Sequence, residues 1–231
     1  MSVADEELNQ TKVTRNSFLT FFSLIVVAFF LSYIPLANLP FSWMQTYFHE
    51  ISHGIAAILT GGSVMSIKLH LLGSGLCTTV GGSRFIVAFS GYFGAAIWGA
   101  FIYTMVDNVS KKRAISIAGI MIGMIVLSAL FWGRDLITLL IMGMMIVPFA
   151  VIIKTRSQFL VKYFLQFLGI YILLDSIKSP LHLIDGRYYG DGVTLSKLTG
   201  IPEIIWVFIW LCIGMCALYI LWKQHMKRAI I

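Results

Sequence analysis

Phe41-Ser42-Trp43-Met44-Gln45-Thr46-Tyr47-Phe48-His49-Glu50-Ile51-Ser52-His53-Gly54-Ile55-Ala56-Ala57-Ile58-Leu59-Thr60-Gly61-Gly62 is the stretch on which the reading of this chain turns. It has the length of a membrane-spanning helix, about 20 residues, and ends on a glycine pair. Yet within an apolar background it carries Gln45, His49, Glu50, Ser52 and His53. Ionisable groups at membrane depth are costly and mark a functional site. His49 and His53 stand at i and i+4, one turn apart on one helix face, so both imidazoles can reach a single ion. Zinc favours such a pair, at about 2.0–2.1 Å to each nitrogen. Glu50 is placed to take the proton of a zinc-bound water, whose pKa falls toward about 7, and to pass it to a leaving amine. With five His and four Glu in 231 residues, chance supplies such a pentapeptide about 0.002 times per chain. Without a metal, three ionisable groups on one buried turn would be an expensive way to hold helices together.

The rest of the chain supplies a lipid-solvated frame. Apolar residues make up 58% and charged residues 12%, against about 25% charged in a soluble domain. The length leaves room for about six or seven spans and for no soluble catalytic domain. The expected fold is an all-α polytopic membrane protein, one integral membrane domain over 1–231, with a membrane-associated β-hairpin after the second helix. An N-terminal tail, 1–16, leads into a first span over about Ser17–Ile34. Tyr33-Ile34-Pro35 offers no small-x-small cleavage site, so this span is read as retained. Pro35 and Pro40 bracket a break before the second span, and helices one and two together occupy 17–60. Over 63–82 the period changes to two: Ser66, Lys68 and His70 alternate with Ile67, Leu69 and Leu71, and Gly73-Ser74-Gly75 supplies a turn. Helices three to six fill 84–177. In the third, Ser90, Gly91, Gly94, Ala95 and Gly99 permit close approach of a neighbouring backbone. A polar loop at 178–200, a last helix at 201–222 and a basic tail at 223–231 complete the chain. No internal repeat suggests an inverted-repeat transporter.

The net charge of +7 comes from short clusters between apolar runs, Lys111-Lys112-Arg113, Lys154 with Arg156 and Lys162, and Lys223 with Lys227 and Arg228. Such flanks meet lipid headgroups. The expected partner is therefore the lipid bilayer, and no nucleic acid. Eight cations on the hairpin side against nine on the other leave orientation undecided by charge. Cys77, Cys212 and Cys216 form neither a zinc knuckle nor a disulfide framework. His70, His182 and His225 lack a partner at ligand spacing and read as surface or interface residues. Trp43, Trp206, Trp210 and Trp222 read as interfacial belts.

A catalytic zinc takes three protein ligands and leaves a fourth position for water. Asp175, in Leu173-Leu174-Asp175-Ser176 near the end of the sixth span, is the first candidate for the third ligand. A carboxylate at that depth calls for a cation to balance it. Its alternative reading is a helix-end cap or an i+3 pair with Lys178. Asp191, in Gly190-Asp191-Gly192, is the alternative ligand, and Asp185, in Ile184-Asp185-Gly186, comes third. Both lie where solvated turn residues are the default.

The order His49-Glu50-x-x-His53-Gly54, then Gly61-Gly62, a hairpin, and Ser90-Gly91-Tyr92-Phe93-Gly94 resembles the site-2 protease family of intramembrane zinc metallopeptidases. The likeness is greatest to its small bacterial and plant branch. It covers residues 41–106 well and 165–210 more loosely, through Gly190-Asp191-Gly192 and Leu198-Thr199-Gly200-Ile201-Pro202. The resemblance implies two His ligands, a Glu base, a later Asp ligand, Zn2+ as cofactor, and membrane-spanning or membrane-associated protein or peptide substrates. It also implies an active site and hairpin facing the cytoplasm, with the bacterial inner membrane as the location. Most of the family carries Leu-Asp-Gly preceded by Asn and Pro, whereas here Ser179-Pro180 precedes Ile184-Asp185-Gly186. The competing expectations are a membrane metal or solute transporter, and a zinc-binding scaffold without turnover.

Overall fold

The computed structural model describes residues 3–107, 111–155, 157–184 and 189–230, so Asp185 lies outside the described residues. In chain order the elements are α1 (Val3–Leu31), α2 (Pro35–Leu59), β1 (Ser63–Leu69), β2 (Gly75–Val80), α3 (Arg84–Val106), α4 (Lys111–Trp132), α5 (Leu136–Lys154), α6 (Gln158–Lys178), a 3₁₀ turn (Ser179–Leu183), α7 (Asp191–Thr199) and α8 (Glu203–Ile230).

Among the described residues five segments are long and apolar enough to cross a bilayer: α3, α4, α5, α6 with its 3₁₀ turn, and α8. A sixth exists if α1 from Ser17 and α2, which meet at 110°, form one broken span. The protein is thus a multi-pass membrane bundle of five or six candidate spans, against the six or seven expected. Three boundaries differ from the sequence reading. The N-terminal tail is continuous with the first helix, and the basic tail continues the last. Pro40 does not break α2, which begins at Pro35. Proline suits a first helical turn, and Pro40 withdraws only one hydrogen bond near an exposed end, where Leu36 is open to its surroundings.

Around α2 the other elements gather. It packs on α3, α5, α6 and both strands, and almost every residue from Trp43 to Ala57 is buried. Within that stretch only Ile55 is exposed, so neighbouring elements shield the polar turn from lipid, where ionisable groups are costly. The tight crossing is that of α3 on α6. A Cβ at Gly99 would lie 2.7 Å from the Gly169 carbonyl oxygen and 2.8 Å from the Leu173 nitrogen. Forcing atoms into such a contact costs about 1–3 kcal/mol or more. Gly99→Val is therefore expected to destabilise the bundle by at least that amount, read as a lowered unfolding midpoint in detergent.

The hairpin forms where the two-residue period placed it. β1 and β2 pair antiparallel from Ser63↔Val80 to Leu69↔Gly75, with a bulge between Val64 and Ser66. It is tied down at several points. Thr46 Oγ1 donates to the Gly73 carbonyl at 2.5 Å, Trp43 Nε1 to that of Leu71 at 3.1 Å, and the Leu69 N–H to Thr138 Oγ1 at 2.9 Å. Asp135 caps α5 by accepting from the Thr138 N–H at 2.9 Å and its hydroxyl at 2.8 Å.

Two expectations are corrected here. Trp43, Trp206 and Trp210 are core residues, and only Trp222 is exposed. Each of the three lies between packed elements, and the indole N–H groups of Trp43 and Trp210 bond to backbone carbonyls of the hairpin and α3. His225 is buried too. Its Nδ1 lies 2.9 Å from the Tyr103 hydroxyl and 3.4 Å from Asp107 Oδ2, while Gln166 Nε2 donates to Asp107 Oδ1 at 3.1 Å. These contacts tie the far ends of α3, α6 and α8 together.

Candidate metal centre

On α2 the i, i+4 spacing does what the helix period requires. The rings of His49 and His53 stand 4.7 Å apart, edge to face, and their Nε2 atoms approach to 3.0 Å. His53 Nδ1 is 2.7 Å from the Val87 carbonyl oxygen. A carbonyl only accepts, so Nδ1 carries the proton and Nε2 is left with its lone pair. Asp191 Oδ2 completes the group, 3.2 Å from His49 Nε2 and 3.3 Å from His53 Nε2. These are the residues that could hold a metal among those described.

The donor set fits a small cation. Two imidazole nitrogens and one carboxylate oxygen converge, and tetrahedral ligands about 2.0–2.1 Å from zinc would stand roughly 3.3 Å from one another. Asp191 reaches the site because α7 starts on it. Gly190, at φ 122°, takes a backbone conformation that L side chains rarely adopt, and a Cβ on Gly192 would lie 2.5 Å from Glu203 Oε1 on α8.

Asp175, the first candidate from sequence, is not part of this group. Its Oδ2 accepts from Ser179 Oγ at 2.5 Å, and its Oδ1 lies 3.8 Å from Lys178 Nζ. The local pairing available at its own helix end takes up the carboxylate. The carboxylate that stands with the two imidazoles among the described residues is that of Asp191, the alternative candidate.

Glu50 is buried at 6% exposure, on the same turn as the two histidines. The start of β2 lies against it: a Cβ at Gly75 would come within 2.8 Å of Glu50 Cγ and 2.9 Å of its Oε1. On the opposite wall a Cβ at Gly91 of α3 would come within 2.5 Å of His49 Cε1 and 2.6 Å of His53 Cε1. The small-residue run in α3 pointed to a close approach without saying that histidines were what it approached. Gly75 showed in the sequence only as turn chemistry. Beside Gly91, the Tyr92 ring packs edge-on against His49 with centroids 4.5 Å apart, and nothing in the sequence singled it out. Gly91→Val is expected to push both rings off their common point and lower zinc occupancy, measured by mass spectrometry on detergent-purified protein.

Searches of curated proteins and of solved structures return no match. The family described as Peptidase M50B-like matches residues 22–221. That range takes in the histidine turn of α2, the hairpin and the aspartate of α7, and by it this multi-pass chain belongs to the Peptidase M50B-like family of membrane metalloproteases.

Proposed function

We propose that the protein is an intramembrane zinc endopeptidase that hydrolyses peptide bonds of membrane-spanning or membrane-associated polypeptides, with a bacterial inner membrane as its setting. The convergence of His49, His53 and Asp191 on one point, with the Glu50 carboxylate buried on the same turn, carries this reading. Those three residues would hold the ion. Bound there, zinc would supply the Lewis acidity that makes water a nucleophile at neutral pH and polarises a carbonyl.

The chain's own residues do the rest. Glu50 accepts a proton from the attacking water as its oxygen bonds to the carbonyl carbon. The same carboxyl then gives that proton to the amide nitrogen as the C–N bond breaks, leaving a carboxylic acid and an amine. The Val87 carbonyl fixes the His53 ring. Gly75 and Gly91 keep the walls close to Glu50 and to the imidazoles, which limits water around the reacting groups. An extended substrate has a place to pair. β1 is engaged beyond the sheet by Thr138 and by Arg134 Nε, 3.4 Å from the Met65 carbonyl oxygen. The outer edge of β2 makes no further backbone hydrogen bond among the described residues, and an unwound segment could add there as a third strand.

Metal content and cleavage test this together. Protein purified in detergent micelles is expected to hold about one zinc per chain and to cut casein. A phenanthroline chelator should remove both properties, and added zinc should restore them. Protein that carries no zinc, and takes none up when it is supplied, sinks the reading.

A further inference from the structure

We propose that the Tyr92 hydroxyl is a further catalytic group, donating a hydrogen bond to the scissile carbonyl oxygen as that oxygen gains charge. The role rests on the peptidase reading above and adds to it a residue outside the His-Glu-x-x-His turn and Asp191.

Three observations carry it. The ring is fixed from two sides, by His49 with centroids 4.5 Å apart and by Trp210 at 4.9 Å. Trp210 is itself held, 1% exposed with its Nε1 donating to the Phe89 carbonyl at 3.1 Å. The hydroxyl, by contrast, makes no hydrogen bond to the described residues. A packing residue needs only the ring, and phenylalanine would supply that. A half-buried phenol with an unused donor beside a metal-binding histidine is prepared for an acceptor that arrives with the substrate. The scissile carbonyl is that acceptor, and a donor held in place before the reaction contributes most where charge develops.

The test compares wild type, Tyr92→Phe and Glu50→Gln in micelles. Three properties are read: zinc per chain, casein cleavage, and affinity for a phosphinic pseudopeptide, whose tetrahedral oxygens imitate the reacting carbonyl. Tyr92→Phe is expected to keep wild-type zinc and KM, to lose about 10²–10³-fold in kcat, and to bind the phosphinic peptide correspondingly more weakly. Wild-type kcat and phosphinic affinity in Tyr92→Phe would overturn the role while leaving the peptidase reading intact. Zinc loss in Tyr92→Phe would also overturn it, by making the hydroxyl a support for the metal site. If wild type neither cleaves casein nor binds the phosphinic peptide, the peptidase reading fails and takes this role with it.

Discussion

Asparagine in place of Asp191 is expected to empty the purified protein of zinc, whereas Asp175→Asn keeps about one zinc per chain. One oxygen of Asp191 lies within 3.3 Å of both imidazole nitrogens, so the substitution removes the one anionic member of the group. Loss of an outer-shell partner typically costs 10–100-fold in metal affinity. Loss of a ligand should cost more, at least about 100-fold, and competition with a chromophoric chelator would read it. Asp175 has other work. Its carboxylate is taken up by Ser179 and Lys178 where α6 turns into the 3₁₀ segment, so Asp175→Asn should show in stability or turnover before metal content. Zinc lost from Asp175→Asn and retained in Asp191→Asn would reverse the assignment and remove α7 from the centre.

The contrast between these aspartates shows what sequence could and could not convey. His49, Glu50 and His53 were legible because four residues of one helix set their geometry, whatever surrounds it. The hairpin was legible for a similar reason, since a two-residue period and a glycine turn are local signals. The carboxylate that stands with the two histidines is not local. Depth in an apolar helix favoured Asp175, but depth leaves open where a carboxylate points, and Ser179 one turn on was close enough to capture it. Asp191 stood second in the sequence reading, between two glycines where a solvated turn residue is the default. Only the packing of α7 on α3 and α8 brings it over the histidines.

The tryptophans and His225 were misplaced for a related reason. Interfacial belts are a tendency of residues at span ends that face lipid. Trp43 instead stands where the hairpin folds back on α2, and Trp206 and Trp210 stand where α8 meets α3. The burial of His225 depends on Asp107 and Tyr103, more than a hundred positions earlier in the chain. The break expected at Pro40 illustrates the opposite error, a local signal read too strongly. A proline early in a helix withdraws one bond near its end, and α2 runs through it.

Glu50→Gln is expected to retain zinc and to lose at least about 10³-fold in kcat, within the range that general acid–base groups contribute. Glutamine preserves the volume of the side chain, so the closely packed start of β2 at Gly75 should still fit. What it removes is the ability to hold a proton between the attack on the carbonyl and the departure of the amine. Because the metal donors and the β2 edge are left alone, the variant should still bind substrate, and a cleavable polypeptide should accumulate on it and be recoverable by crosslinking. Glu50→Asp separates chemistry from placement. It keeps the acid but draws it back by one methylene, and a misplacement of about 1 Å can cost 10²-fold. Gly75→Ala should move in the same direction from outside, since the added carbon would meet Glu50 Cγ at 2.8 Å. A graded series, with wild type fastest, Gly75→Ala and Glu50→Asp intermediate and Glu50→Gln slowest at constant zinc, identifies Glu50 as the base. Undiminished cleavage by Glu50→Gln would place the proton transfer on another group, and the buried carboxylate would then have to be explained by packing against the hairpin alone.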